Sequence, residues 1–182
     1  MDCVIVGGGI AGLQAASTIR RLWPEKTVTL VDAEQEVGYY RTLLPQFMVR
    51  TLAEKKVFFW RTEDDSSLKI RTGRRVESLD RVNQILHLEN KEKLEYNRLI
   101  IATGGRPIIP PVCPSNSCDG IFPVRSLGVA RVLREWLPGH AEVVILGGGL
   151  VGVKTAIHLA QANLPVTLIE REGRLLPQAL SA

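Results

Sequence analysis

Apolar and polar positions alternate along this chain in two recurring rhythms. Val4-Ile5-Val6 is an unbroken apolar run that stops at Gly7-Gly8-Gly9, and Leu13, Ala15, Ala16 and Ile19 then recur at helical spacing. A short apolar run bounded by glycine predicts a buried strand, and the three-to-four spacing predicts a helix laid on it. Val28-Thr29-Leu30-Val31 predicts a second strand. Phe47 to Leu52 carries a helical apolar pattern, and Val57-Phe58-Phe59-Trp60 forms an aromatic cluster suited to a core or a domain contact. Ser66 to Arg75 is polar and basic. Val76 to Leu79 and Ile85 to Leu88 alternate like paired strands around a turn at Asp80 to Gln84. Leu99 to Ala102 is a further strand, broken by Thr103-Gly104-Gly105-Arg106-Pro107. A proline-rich stretch, Ile108 to Gly120, reads as a linker. Leu127 to Leu137 predicts a helix with Val129, Val132, Leu133 and Trp136 on one face, closed by Pro138-Gly139.

The opening rhythm then returns. Val144-Ile145-Leu146-Gly147-Gly148-Gly149-Leu150-Val151-Gly152 repeats Val4 to Gly12 at an offset of 140 (147 against 7). Val166-Thr167-Leu168-Ile169-Glu170 repeats Val28 to Asp32 at an offset of 138 (170 against 32). A short glycine motif matches often by chance. Two copies that each bring their strand, helix, second strand and terminal acid are far more specific.

Each copy has chemistry to match. Gly7, Gly9 and Gly12, and again Gly147, Gly149 and Gly152, give G-x-G-x-x-G. The first glycine permits the tight turn, the second lets a pyrophosphate approach the backbone, and the third lets helix and strand pack closely. The free N–H groups of the new helix, at Ile10 and Ala11 or Leu150 and Val151, then face the phosphates at the positive end of the helix dipole. Asp32 stands 25 positions after Gly7, beyond the usual spacing of about 20, with the Trp23-Pro24-Glu25-Lys26 turn supplying the excess. Asp32 and Glu170 are placed to accept ribose hydroxyls. A carboxylate at Glu170 favours a free 2′-hydroxyl over a 2′-phosphate, while Arg171 and Arg174 close behind it soften that preference.

Composition narrows the picture. The chain has 182 residues, 45% hydrophobic and 23% charged, with a formal net charge of +4. That suits one or two domains with real cores. Its basic residues are scattered and aromatics are only 5%, which argues against a nucleic-acid platform. No apolar run reaches the roughly 18 residues of a membrane helix. The N-terminus lacks a basic region, and its apolar run breaks at Gly7 to Gly9, unlike a secretory leader. Three cysteines are too few for a disulfide scaffold, so a cytoplasmic setting is expected. His87, His140 and His158 have no acidic or cysteine partners at useful spacing, so no metal site and no general-base histidine are expected.

With these motifs in place, the chain resembles the FAD-dependent pyridine nucleotide-disulfide oxidoreductase superfamily, flavoproteins with two dinucleotide-binding domains. Gly7 to Asp32 resembles the FAD fingerprint, Leu94 to Gly104 the Tyr-Asp-x-Leu-x-x-Ala-Thr-Gly stretch, and Gly147 to Glu170 the pyridine-nucleotide fingerprint. Gly120 to Ser126 and Arg174-Leu175-Leu176-Pro177 resemble the segments that flank the second fingerprint. The branch it resembles has no redox disulfide: rubredoxin and ferredoxin reductases and the N-terminal part of NADH nitrite reductases. The resemblance implies an α/β protein of tandem Rossmann-like, three-layer folds, the second incomplete. It implies an FAD-binding domain over 1–107, the linker over 108–120, and the first part of an NAD(P)-binding domain over 121–182. It assigns Arg41 of Tyr39-Tyr40-Arg41 to the FAD pyrophosphate, Val76 to the adenine, and Ala102, Thr103 and Gly104 to the flavin side of the site.

Three departures stand out. Cys113 and Cys118 have redox-pair spacing but sit in the proline-rich linker, so their role stays open. The family's Glu after the second fingerprint is replaced by Lys154, and the Lys that pairs with it appears here as Gln46. Lys154 and Gln46 are therefore candidate catalytic residues near flavin and nicotinamide, with a solvated Lys154 as the alternative. The family also continues beyond the position of Ala182, so the chain is expected to be a piece of a longer protein or a split gene product. The implied activity is electron transfer from NAD(P)H, NADH preferred, through FAD to a rubredoxin, a ferredoxin, a nitrite reductase module or a small oxidant, in a parent protein that could be a homodimer. A quinone-reductase-like flavoprotein and a non-catalytic nucleotide-binding piece remain the alternatives.

Overall fold

The computed structural model describes residues 3–61, 68–110, 120–139, 142–177 and 179–180. Most of the linker, with Cys113 and Cys118, and also His140, lie outside the described residues. The chain forms two compact units: Met1–Tyr39 with Phe58–Arg106, and Tyr40–Val57 with Pro107–Ala182. The expected domain division runs in chain order. The packing groups Tyr40–Val57, and the chain from Pro107 onward, in the second unit.

In the first unit, β1 (Cys3–Val6) leads into α1 (Ile10–Leu22) and β2 (Val28–Val31). Four parallel strands follow the order β3 (Lys69–Arg71), β2, β1, β7 (Arg98–Ile101). Cys3 pairs with both Val28 and Arg98, which sets the register on each side of β1. Successive side chains of a strand point to opposite faces, and both faces of this sheet are covered. Cys3 and Ile5 of β1 pack with Val28 and Leu30 against Leu13 and Ala16 of α1. Val4 and Val31 pack instead on Leu86 and Leu88. Those leucines belong to an antiparallel sheet of β4 (Val76–Asp80), β5 (Ile85–Leu88) and β6 (Lys93–Glu95). The unit is thus a helix, a parallel sheet and an antiparallel sheet in three layers. Continuous apolar runs are what a sheet buried on both faces requires.

The hairpin expected at Asp80 to Gln84 is present. The Asp80 carboxylate accepts from the N–H of Val82 and Asn83, closing the turn. The polar Ser66 to Arg75 stretch hides an edge strand, β3, whose apolar–polar signal is too short to stand out.

The second unit holds α2 (Leu44–Met48), α3 (Leu127–Trp136), β8 (Val143–Leu146), α4 (Leu150–Gln161) and β9 (Val166–Ile169). β8 and β9 pair in parallel, and α4 packs on both. The helix expected from Phe47 to Leu52 begins earlier and stops at Met48. Arg50 takes a left-handed conformation (φ 64°), and the N–H groups of Arg50 and Thr51 bond back to the carbonyls of Phe47 and Gln46. That is a Schellman-type stop, which satisfies the helix's last carbonyls. The Ser126 hydroxyl accepts from Val129 N–H and caps α3. Leu127, Ala130 and Leu133 form the buried stripe of α3, whereas Val132, expected inside, is 53% exposed.

Basic side chains stitch the Tyr40–Val57 segment to the rest of this unit. Arg134 donates to Phe47 O and lies over the Phe47 ring, 4.7 Å from its centroid. Arg131 pairs with Glu54 at 2.6 Å, and Arg50 with Glu135 at 3.1 Å.

Candidate functional site

Both glycine loops are built alike, down to the dihedral angles. Gly7 has φ 112° and Gly147 φ 107°, a region closed to other residues at ordinary cost. Gly7 N–H bonds Val31 O and Gly147 N–H bonds Ile169 O, each at 2.8 Å. A Cβ on Gly12 would collide with Gly7 O, and one on Gly152 with Gly147 O. The third glycine is thus what lets each helix begin against its own loop.

The middle glycines differ in kind. Gly9 and Gly149 have ordinary extended backbone, and a Cβ on either would meet nothing within 4 Å. Neither α1 nor α4 has a side-chain cap at its N-terminus or an acid in its first turn. The start of a helix carries N–H groups without intrahelical partners. Here they open onto a surface that a side chain at Gly9 or Gly149 would narrow. Ile10 and Leu150, the first residues of the two helices, are 56% and 68% exposed, and Ala11 and Val151 are exposed beside them.

The terminal acids are held by the loops they serve. Asp32 Oδ2 accepts from Gly8 N–H at 2.5 Å and Oδ1 from Glu34 N–H at 2.7 Å. Glu170 Oε2 accepts from Gly148 N–H at 2.5 Å and Oε1 from Glu172 N–H at 2.9 Å. The N–H groups of Glu172 and Gly148 hold the Glu170 carboxyl below the usual carboxylate range. Each oxygen has a further lone pair for a hydroxyl donor. The repeat also runs past the acids. Gly38 N–H and Leu176 N–H bond Gly8 O and Gly148 O respectively. Gly38 and Leu176 both have positive φ (73° and 52°), and Val37 and Leu175 occupy the space a Cβ would need on Gly8 and Gly148. Leu176 hides this correspondence in the sequence because leucine is not a turn signal.

The loops part company in their neighbours. A Cβ on Gly7 would strike Ala102 O at the end of β7, so Ala102 and Thr103 lie beside the first loop, with Gly104 next in the chain. No strand stands there for Gly147 among the described residues. β8 and β9 accordingly leave Val144, Leu146 and Ile169 about half exposed, where β1 and β2 are buried. Val76 opens β4 and packs against the core on the antiparallel side of the sheet.

The remaining expected residues gather in the second unit. Arg41 donates to Arg125 O at 2.7 Å. Lys154 Nζ donates to Thr42 O at 2.6 Å, so its ammonium bridges α4 to the turn at Arg41–Leu43. α2 packs on α4 next to that bridge. Gln46 Oε1 on α2 is buried with no hydrogen-bond partner among the described residues. A buried acceptor left unpaired is costly and calls for a donor from outside the described chain. No helix among the described residues is long and apolar enough to cross a membrane.

Comparison with known proteins identifies the family and the fold. Residues 1–182 match the family described as pyridine nucleotide-disulphide oxidoreductase. The chain is 34% identical to the 5,5′-dehydrodivanillate O-demethylase ferredoxin reductase subunit of Sphingobium sp., over 96% of this chain and 43% of the relative. It is 31% identical to rhodocoxin reductase of Rhodococcus erythropolis, over 100% of this chain and 43% of the relative. The crystal structure of a covalent putidaredoxin reductase–putidaredoxin complex superposes with a TM-score of 0.91 at 26% identity, covering 99% of this chain and 44% of that one. The chain spans less than half the length of these relatives.

Proposed function

Because the chain belongs to the pyridine nucleotide-disulphide oxidoreductase family, we propose that it binds FAD at the first glycine loop and NADH at the second, as part of an FAD-dependent NADH oxidoreductase that passes electrons through the flavin to an acceptor. The observation that carries this reading is the pair of loops, each with its acid pinned by the loop's own N–H. The residues fit a dinucleotide at both places: a glycine cradle, an uncapped helix start, and a fixed carboxylate for the ribose.

FAD held at the first loop would supply hydride acceptance from a nicotinamide and one- or two-electron release. Everything else falls to the chain. The N–H groups at Ile10 and Ala11 hold one pyrophosphate, and those at Leu150 and Val151 hold the other. Asp32 and Glu170 orient the two adenosine riboses. Ala102 to Gly104 and Val76 flank the FAD half-site. Arg41, whose guanidinium donates to Arg125 O within the second unit, is assigned to the FAD pyrophosphate by the family resemblance alone. Lys154 keeps a positive charge next to the Arg41–Leu43 turn and stabilises negative charge on a reduced cofactor. The orphaned Gln46 carbonyl accepts from an N–H of a cofactor or of the nicotinamide amide. The proposed acceptor is a ferredoxin-type redox protein, by analogy with the ferredoxin reductase subunit above.

Loading the purified chain with FAD and removing unbound flavin tests the reading. A retained yellow absorbance band that weakens in Asp32→Asn is expected. A colourless protein that has no affinity for FAD overturns the assignment of the first loop.

A further inference from the structure

Two arginines follow Glu170, and a cation in this position would ordinarily welcome a 2′-phosphate. The structure shows both engaged. Arg171 gives Nε and Nη2 to one oxygen of Glu172, at 3.2 and 2.9 Å, and Arg174 Nη2 donates to Pro177 O at 3.0 Å. Glu172 therefore acts twice. Its N–H pins Glu170, and its carboxylate neutralises Arg171. The first loop supplies an internal comparison at the same offset of 138. Glu34 takes the place of Glu172 and pins Asp32 in the same way. Its neighbour is Ala33 rather than an arginine, and the Glu34 carboxylate accepts from Tyr39 Oη instead. The backbone duty is common to both loops, whereas a pair with the preceding residue is open only to the second, which has Arg171 where the first has Ala33.

We propose that Glu172 is a specificity-determining residue of the second loop: by holding Arg171 in an ion pair it denies a 2′-phosphate its cationic partner, so the preference for a free 2′-hydroxyl rests on Glu172 as well as on Glu170. This inference depends on the second loop being the nicotinamide-dinucleotide site. Arg171 is 92% exposed, so once released it is free to reach a phosphate placed beside Glu170.

The test is the ratio of affinities of the chain for ADP-ribose and 2′-phospho-ADP-ribose, measured by calorimetry at low ionic strength. Glu172→Gln keeps the N–H that pins Glu170 and removes the charge on Arg171's partner. The ratio is expected to move about two- to fivefold towards the 2′-phosphate. The movement should shrink as salt rises. In Arg171→Gln/Glu172→Gln the gain should vanish. An unchanged ratio in Glu172→Gln, or a gain that survives loss of Arg171, overturns the proposal and leaves the site reading standing. Failure of the unsubstituted chain to bind either ligand overturns both.

Discussion

Replacing Gly149 by alanine should separate dinucleotide binding from folding, and Gly152→Ala should do the reverse. At Gly149 the backbone is extended (φ −76°, ψ −178°) and the new Cβ meets nothing within 4 Å. Alanine is a poorer first cap than glycine, but it also lowers the entropy of the unfolded chain. These effects offset, and the net change in stability should stay within about 1 kcal/mol. The methyl nevertheless stands where the phosphate must approach the first N–H groups of α4. Losing one charge-assisted hydrogen bond costs about 1.5–3 kcal/mol, or roughly ten- to a hundredfold in affinity. At Gly152 the Cβ would run into Gly147 O, with Ile145 Cγ2 at 3.5 Å. Alanine gains about 1 kcal/mol of helix propensity there, but moving the helix off its loop costs about 1–3 kcal/mol or more. Thermal unfolding by circular dichroism and calorimetric titration of ADP-ribose, run on both variants, provide the comparison. The expected result is an almost unchanged Tm with weak binding for Gly149→Ala, and a clearly lowered Tm for Gly152→Ala. Equal losses of Tm, or full affinity in Gly149→Ala, would refute the reasoning.

Two further outcomes follow from the geometry. Backbone N–H groups depress the Glu170 pKa in the folded chain, so the carboxylate and the stability it brings are present above the unfolded value and are lost as pH falls through the folded one. NADH affinity should therefore stay flat as pH drops from neutrality to the ordinary carboxylate range and fall only below it, and Glu170→Gln should bind NADH weakly at every pH, as read by nucleotide titration in buffers of fixed ionic strength. Arg134→Met removes the bond to Phe47 O and the charge over the Phe47 ring, and should destabilise by about 1–2 kcal/mol in urea unfolding, with Arg134→Lys intermediate.

What the amino-acid order determined by itself is local. Val4 to Asp32 and Val144 to Glu170 announce strand, loop, helix and acid because each motif closes within about thirty residues, and because Gly12 and Gly152 are enforced by the Gly7 and Gly147 carbonyls inside the motif. The hairpin at Asp80 is equally local. Only tertiary structure decided the rest. Tyr40–Val57 lies in sequence inside the first half yet packs with the second unit, because Phe47, Glu54 and Arg50 meet partners on α3 some 77 to 87 residues away. Lys154 and Gln46 lie far apart along the chain, where only the family resemblance pairs them. The fold brings the Lys154 ammonium to Thr42, on the turn that leads into the helix carrying Gln46, and leaves the Gln46 carbonyl buried without a partner among the described residues. The arginines after Glu170 soften the expected preference for a free 2′-hydroxyl when read from sequence, and the structure shows them engaged by Glu172 and Pro177. Residue order carries pattern and short-range sterics. Which long side chain reaches which distant carbonyl is a property of the packed chain, because that choice depends on where every other element has come to rest.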